Sequence, residues 1–288
     1  MEFYDKVHNE IYKQYCEKNT ESSKLDNYRV NLDQPVYNEL RYRYMDKLDK
    51  YWKESYYPPL ISKKAIVLVE RRKHPNLEFI IKNAAWAGPN LSFYIFHSDF
   101  NKQYILDILQ EKSQYFNLIE SFQGEGTREQ GKKDCDNLMS DYTFYEGINA
   151  EYILTIEVDV FFRKKITDNL FVGDFWGCPW RWYPDKPGGS GLTIRSIPKM
   201  VEICKKFRPD RTIDLNCPQD SWLSDKIYDE RGNYPDISFS SSMFMENIYT
   251  ADPIGIHQFW TFIEGYFHNF PEDELKEYLE HIFTFKDL

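Results

Sequence analysis

Glu157 and Asp159 stand two residues apart at the end of the apolar run that opens Ile153-Leu-Thr-Ile-Glu-Val-Asp-Val-Phe-Phe162. If that run is a strand, alternation puts both carboxylates on one side of the chain. Open α/β sheets hold their ligands at the carboxyl ends of strands. Carboxylates so placed suit Mg²⁺ or Mn²⁺, which bind through one or two carboxylates plus the phosphates of a substrate. A solvated turn would carry the same pair. His257, alone in the aromatic stretch Ile254-Gly-Ile-His-Gln-Phe-Trp260, is either a further ligand or a hydrogen-bonded core histidine. Asp220, in Cys217-Pro-Gln-Asp220, sits where proline and an acidic residue mark a helix start, and so is either an acid–base group or a cap.

Between these acids lie two further features. Gly188-Gly189-Ser190-Gly191 has three glycines in four residues, which lets backbone approach a ligand closely, before Leu192–Ile194 resumes as a strand. A plain turn between strands is the alternative. Trp180, Trp182 and Tyr183 stand beside Arg181, Pro184 and Lys186 in a segment expected to be a loop. Such rings either belong to the core or form an exposed wall on which sugar rings stack.

Strands alternating with helices must position these groups. Ala65–Glu70, Leu91–His97, Asn117–Ser121 and Tyr152–Val158 read as strands, the first and last apolar enough to be buried on both faces. Pro75–Ala85, Lys102–Gln110 and Asp136–Tyr145 read as helices between them. The pattern implies a mostly parallel sheet with helices on both faces, hence an α/β fold. Upstream, Val36, Leu40, Tyr44, Leu48 and Tyr51/Trp52 recur every three to four residues and predict an amphipathic helix that stops before Pro58-Pro59. Residues 1–60 are therefore expected to be a helical extension, a brace on the main domain or a dimerisation arm. Residues 61–288 are expected to be the main domain, its body running to about residue 265 and its tail, Pro271–Phe285, a helix folded back on it.

Composition removes several function classes. Among 288 residues, 36 Lys+Arg face 46 Asp+Glu, for a net charge of −10. This argues against a general nucleic-acid binder, which needs positive charge to displace phosphate counterions. The 21 Phe, 22 Tyr and 7 Trp against 13 Gly exclude disordered and collagen-like classes, since so many large side chains bury ample area. The charged start MEFYDKVHNEIYKQYCEK lacks the apolar core of a secretion signal. No apolar run approaches the ~20 residues of a membrane helix. The five cysteines (16, 135, 178, 204 and 217) are odd in number and have no CxxC spacing, so reduced thiols in the cytoplasm are expected, and Asn90-Leu91-Ser92 is a chance glycosylation sequon.

The strings VERRKHPNLEFIIKNAAW and FYIFHSD, then ILTIEVDVFF, FWGCPW, GGSGLTIRS, PQDSW and GIHQFW, occur in this order over residues 64–262. That order resembles a family of GT-A-like glycosyltransferases long catalogued as a domain of unknown function, with relatives in large DNA viruses. The resemblance implies a GT-A, Rossmann-like open mixed sheet flanked by helices. It also implies a DxD-type site for metal and nucleotide diphosphate at Glu157-Val158-Asp159, with Glu in place of the first Asp, and His257 completing the metal set. Gly189, Ser190 and Gly191 would contact the donor sugar or acceptor, and Asp220 would be the base of an inverting reaction, with Gln219 where the family has Glu. Val69, Glu70 and Arg71 after the first strand, His97, Ser98 and Asp99 after the second, and Asn137 on a bordering helix resemble the nucleotide-holding edge.

The expected function is metal-dependent transfer of a sugar from a nucleotide-sugar, a UDP-sugar by preference, to a glycan or other hydroxyl acceptor, with inversion. Trp180, Trp182 and Tyr183 would face the acceptor. Arg71 or Arg72 would add positive charge near the diphosphate. A catalytically idle nucleotide- or glycan-binding module on the same pocket is the alternative. A nucleotidyltransferase fits less well, because Arg71-Arg72-Lys73-His74 occupies the place of its glycine-rich loop.

Overall fold

The computed structural model describes residues 25–211, 213–262 and 272–288. The first 24 residues of the expected extension, Cys16 among them, and Pro271 lie outside the described residues.

A long helix, α1 (Leu25–Ser55), precedes β1 (Lys64–Val69), α2 (Leu77–Ala87), β2 (Ser92–Ser98), α3 (Lys102–Leu109) and β3 (Asn117–Phe122). Next come α4 (Arg128–Met139), α5 (Tyr142–Glu146), β4 (Tyr152–Ile156), β5 (Val160–Phe162), β6 (Phe175–Cys178) and β7 (Gly189–Ser196). The chain continues through α6 (Ile197–Phe207), α7 (Gln219–Asp229), α8 (Ile237–Met243), β8 (Phe244–Met245), β9 (Gly255–His257) and α9 (Glu272–Ile282).

Six strands form one sheet in the order β3-β2-β1-β4-β7-β6. β1 is parallel to β2 and β4, β2 is parallel to β3, and β7 runs antiparallel to both β4 and β6. The sheet is therefore the open mixed α/β type expected. Its central strands are covered twice. Ile66 and Leu68 of β1 belong to the core that includes α1, α2 and the C-terminal tail, while Ala65, Val67 and Val69 point into the core with α4 to α7. Strand alternation thus separates one apolar run into two cores. Successive crossovers carry the chain from β1 to β3 on one side, and β4 then returns to the other side of β1. That reversal leaves a crevice outside the carboxyl ends of β1 and β4.

A second, small sheet closes this end of the molecule. Its order is β5-β9-β8, and Val160 pairs with His257 across the antiparallel β5–β9 ladder.

α1 is a brace. Val36, Tyr37, Leu40, Tyr44, Leu48 and Trp52 are all buried in the main core, so the stripe that the sequence predicts is spent on the domain itself. Tyr37 Oη donates to Val160 O at 3.0 Å, which ties the helix to the start of β5. Tyr44 stacks on Phe285 at 4.0 Å and donates to Phe283 O, and so holds the tail.

Three expected elements differ. The single helix over 136–145 is two helices, because Asp141 accepts the Thr143 N–H and starts α5 anew, while Thr127 caps α4 by accepting from Gln130. The strand expected to reach Val158 stops at Ile156, and a turn closed by Val160 N–H donating to Glu157 O follows. The glycine-rich stretch is not a loop before a strand. Gly189–Ser196 is one strand, held between β4 and β6.

Candidate active site

Glu157 and Asp159 lie in the turn just past β4, at the crevice where strand order reverses. What brings them together is the turn, since the strand has already ended. Asn76, at the start of α2, donates through Nδ2 to Val158 O at 3.2 Å and to Asp33 of α1 at 3.0 Å, and so pins the turn from below. Val158 itself is a core residue. Gln258 N–H donates to Asp159 O at 3.1 Å, continuing the β5–β9 ladder into the site.

That ladder delivers His257. Its Nε2 faces Asp159 Oδ1 at 3.2 Å, and one ligand atom from each of Glu157, Asp159 and His257 lies within 4.8 Å of the others. Gly191 makes the approach possible. A Cβ there would sit 2.7 Å from His257 Nε2 and 2.9 Å from Glu157 Cβ. His257 is buried, which disfavours its charged form, yet Asp159 and Glu246 on its two nitrogens outweigh burial and lift its pKa to about 10.

Two carboxylates and one imidazole converging at this spacing fit Mn²⁺ or Mg²⁺. Nε2 of the buried His257 faces Asp159 Oδ1 without an aligned hydrogen bond. Its Nδ1 is bonded to Glu246 Oε1 at 2.9 Å, the arrangement usual for a metal-binding imidazole.

A second carboxylate group lies beside this one. Asp220 occupies the first turn of α7, and its Oδ2 accepts the Ser190 N–H at 2.6 Å. A Cβ on Gly189 would meet Asp220 Oδ2 at 2.9 Å and the Trp180 ring at 2.5 Å, so the missing side chain makes room for both. Asp136 of α4 caps the same helix from outside by accepting the Gln219 N–H at 2.9 Å. Burial raises the Asp136 pKa; the Gln219 N–H opposes this, and the Asp220 charge adds to it. The first backbone N–H of α7 is thus taken by Asp136, and Asp220 is bonded through Oδ2 to Ser190.

The nucleotide-edge residues have divided duties. Arg71 turns inward, pairing with Asp134 and donating to Gln123 O and Gly124 O, so its charge is spent on the loop after β3. Of the two arginines expected near a diphosphate, Arg71 is thus engaged with the loop after β3 and α4. Two Arg72 nitrogens grip Glu70, and the side chain lies close enough to feel the Asp159 charge. Ser98 Oγ donates to Arg71 O, Asp99 accepts the Gly124 N–H, and His97 Nδ1 bonds the Ser98 carbonyl. These three shape the β1 and β2 ends, next to Val69. Asn137 is engaged by Asp214, Arg208 and Leu215 N–H, and anchors the loop before α7.

The aromatic trio splits. Trp180 is buried, donating Nε1–H to Ser190 Oγ at 3.2 Å, whereas Trp182 and Tyr183 are 47% and 52% exposed. Sequence reasoning missed Glu246, just after β8. It is buried and bonded to both His257 and Ser190. A carboxylate in Phe244-Met-Glu-Asn-Ile carries no local signal, and only the β8–β9 pairing brings it here.

A family model described as a protein of unknown function (DUF5672) matches residues 120–257, just under half of the chain. The matched segment runs from β3 to His257, and so includes Glu157, Asp159, Gly189 to Gly191, Asp220 and Glu246, and excludes β1 and β2. A search of curated proteins found no match. Among solved structures, the apo form of the glycosyltransferase GlyE of Streptococcus pneumoniae TIGR4 is similar at 10% identity and a TM-score of 0.45, covering 68% of this chain. The chain spans 54% of that structure's length. Apo mouse xyloside xylosyltransferase 1 is similar at 7% identity and a TM-score of 0.46, over 67% of this chain and 97% of its own. No helix among the described residues is long and apolar enough to cross a membrane.

Proposed function

We propose that this chain is a metal-dependent glycosyltransferase that moves a sugar from a nucleotide-sugar, a UDP-sugar, to an acceptor hydroxyl with inversion. The observation that carries the reading is the Glu157–Asp159–His257 cluster at the strand-order reversal, with Asp220 beside it across Gly189 and Ser190. The order of motifs along the sequence supports the same reading.

Asp159, His257 and Glu157 would hold Mn²⁺ or Mg²⁺, which when bound supplies positive charge against a departing diphosphate. Arg72, held at the end of β1 by Glu70, would stand near that charge as a hydrogen-bond donor. Gly189 and Gly191, by lacking side chains, let Asp220 and the Glu157–His257 pair close in on the same strand, so that donor sugar and base would meet along Gly189, Ser190 and Gly191. Asp220 accepts the acceptor's proton at Oδ1 while Oδ2 stays fixed by Ser190, so the base cannot rotate away as the hydroxyl attacks. Attack from the face opposite the leaving group inverts the anomeric carbon. Trp182 and Tyr183, exposed on the loop between β6 and β7, offer stacking faces for a carbohydrate acceptor.

A thermal-shift panel of UDP, GDP, CMP and their sugars, each with and without Mn²⁺, tests the donor assignment. UDP and a UDP-sugar should raise the melting temperature only when Mn²⁺ is present, because a ligand of the native state stabilises it. Stabilisation by none of them would contradict the reading.

A further inference from the structure

Glu246 takes no part in the proposed chemistry, yet more of the site depends on it than on any other buried carboxylate described. Its side chain is 5% exposed. Oε1 is bonded to His257 Nδ1 at 2.9 Å. Oε2 accepts the Ser190 hydroxyl at 2.5 Å and Asn247 Nδ2 at 3.2 Å. Asn247 is itself fixed, its Oδ1 accepting the Arg181 N–H at 3.0 Å. Burying a carboxylate is costly without such partners.

Ser190 shows how firmly this centre is specified. Its φ is +77°, a left-handed conformation in which glycine would be unstrained. A serine persists there where surrounding bonds hold it. Its hydroxyl is the reason: it donates to Glu246 and accepts from Trp180 Nε1, which a glycine could not do.

We propose that Glu246 is a positioning residue for His257. By accepting the Nδ1–H, it fixes the ring so that Nε2 is presented to Glu157 and Asp159, and Ser190 and Asn247 in turn lock Glu246. A carboxylate on the far nitrogen of a metal-binding histidine sets both tautomer and ring orientation. The inference rests on the metal assignment made above.

The test is Mn²⁺ binding to the full-length chain, without nucleotide, followed by electron paramagnetic resonance of the free ion. Asp159→Ala serves as the control for the metal site. Glu246→Ala should weaken Mn²⁺ affinity by about 10- to 100-fold. Glu246→Gln, which retains an oxygen acceptor for Nδ1–H, should recover most of it. A merely structural carboxylate would not give that recovery at an unchanged melting temperature. Should Glu246→Ala fail to fold, Glu246→Asp decides the point: it keeps the charge but shortens the reach to Nδ1, so it should bind Mn²⁺ more weakly than the parent. Folded Glu246 variants that bind Mn²⁺ as tightly as the parent, while Asp159→Ala does not, would overturn the positioning role and leave the metal site standing. If Asp159→Ala also binds normally, the metal assignment fails and this inference falls with it.

Discussion

The backbone N–H of Ser190 donates to Asp220 Oδ2 at 2.6 Å, joining the start of β7 to the first turn of α7. The bond orients a carboxylate without consuming both its oxygens. Because the same serine's hydroxyl reaches Glu246, and Glu246 reaches His257, the candidate base and the candidate metal ligands share one hydrogen-bonded frame.

Asp220→Asn preserves shape and the Ser190 contact while removing the basic oxygen. Transfer should fall by about 10²-fold or more, the scale of lost acid–base catalysis. Donor binding and melting temperature should change little. Kinetics with the identified donor check this, and the anomeric configuration of the product, read by NMR, should be inverted.

Gly191→Ala places a methyl 2.7 Å from His257 Nε2, in a wall that cannot yield without moving Glu157. Mn²⁺ affinity should drop by about tenfold or more. The paired positions of the β4–β7 ladder end at Leu192, one residue short of Gly191, so circular dichroism should report a folded protein. Unchanged Mn²⁺ binding in this variant would argue that the three ligands are not used together.

Trp182→Ala and Tyr183→Ala should each raise the acceptor KM several-fold, about the effect of losing one stacked aromatic contact. The donor KM should stay near its parent value. Trp180→Ala should behave differently. Its ring is buried against Gly189 and its Nε1–H is bonded to Ser190, so it should lower thermal stability as well as activity. A melting curve separates the two behaviours.

The strands were legible because β1 and β4 are short apolar runs and the helices between them keep a 3.6-residue period. The brace was legible for the same reason, in the stripe from Val36 to Trp52. The extent of β7 was not. Gly189 and Gly191 have little preference for a strand, and β4 and β6 on either side impose one. Arg71 and Arg72 are adjacent and chemically alike in sequence. Only the position of Asp134 on α4 decides that the first turns inward. Glu246 was invisible because its partners come from β7 and β9, and long-range register leaves no trace in a local pattern.

Asp252 is bonded outside the candidate site, to Arg163, Lys164 and Lys286, and offers a test of the fold's charge balance. Burial would raise its pKa, but bonds to Lys164 and Lys286 prevail and hold it at about 2. A carboxylate depressed below its unfolded value of roughly 3.9 stabilises the fold above that value and loses its effect as pH falls through the folded value. Its side chain is 40% exposed, so screening by solvent limits the contribution to under about 1 kcal/mol. Asp252→Asn should therefore melt a few degrees lower at pH 7, and the gap should narrow from about pH 5 downward. Differential scanning calorimetry across that range checks the sign.

Calorimetric titration of UDP in the presence of Mn²⁺, on the parent chain and on Asp159→Ala, tests the central claim most directly. Asp159 stands 3.2 Å from His257 and belongs to the ligand cluster at the end of β4. The parent should bind UDP in a Mn²⁺-dependent manner, His257→Ala should weaken that binding, and Asp159→Ala should abolish it while remaining folded. Equal Mn²⁺-dependent UDP affinity in Asp159→Ala and the parent would contradict the assignment of this cluster as the donor site.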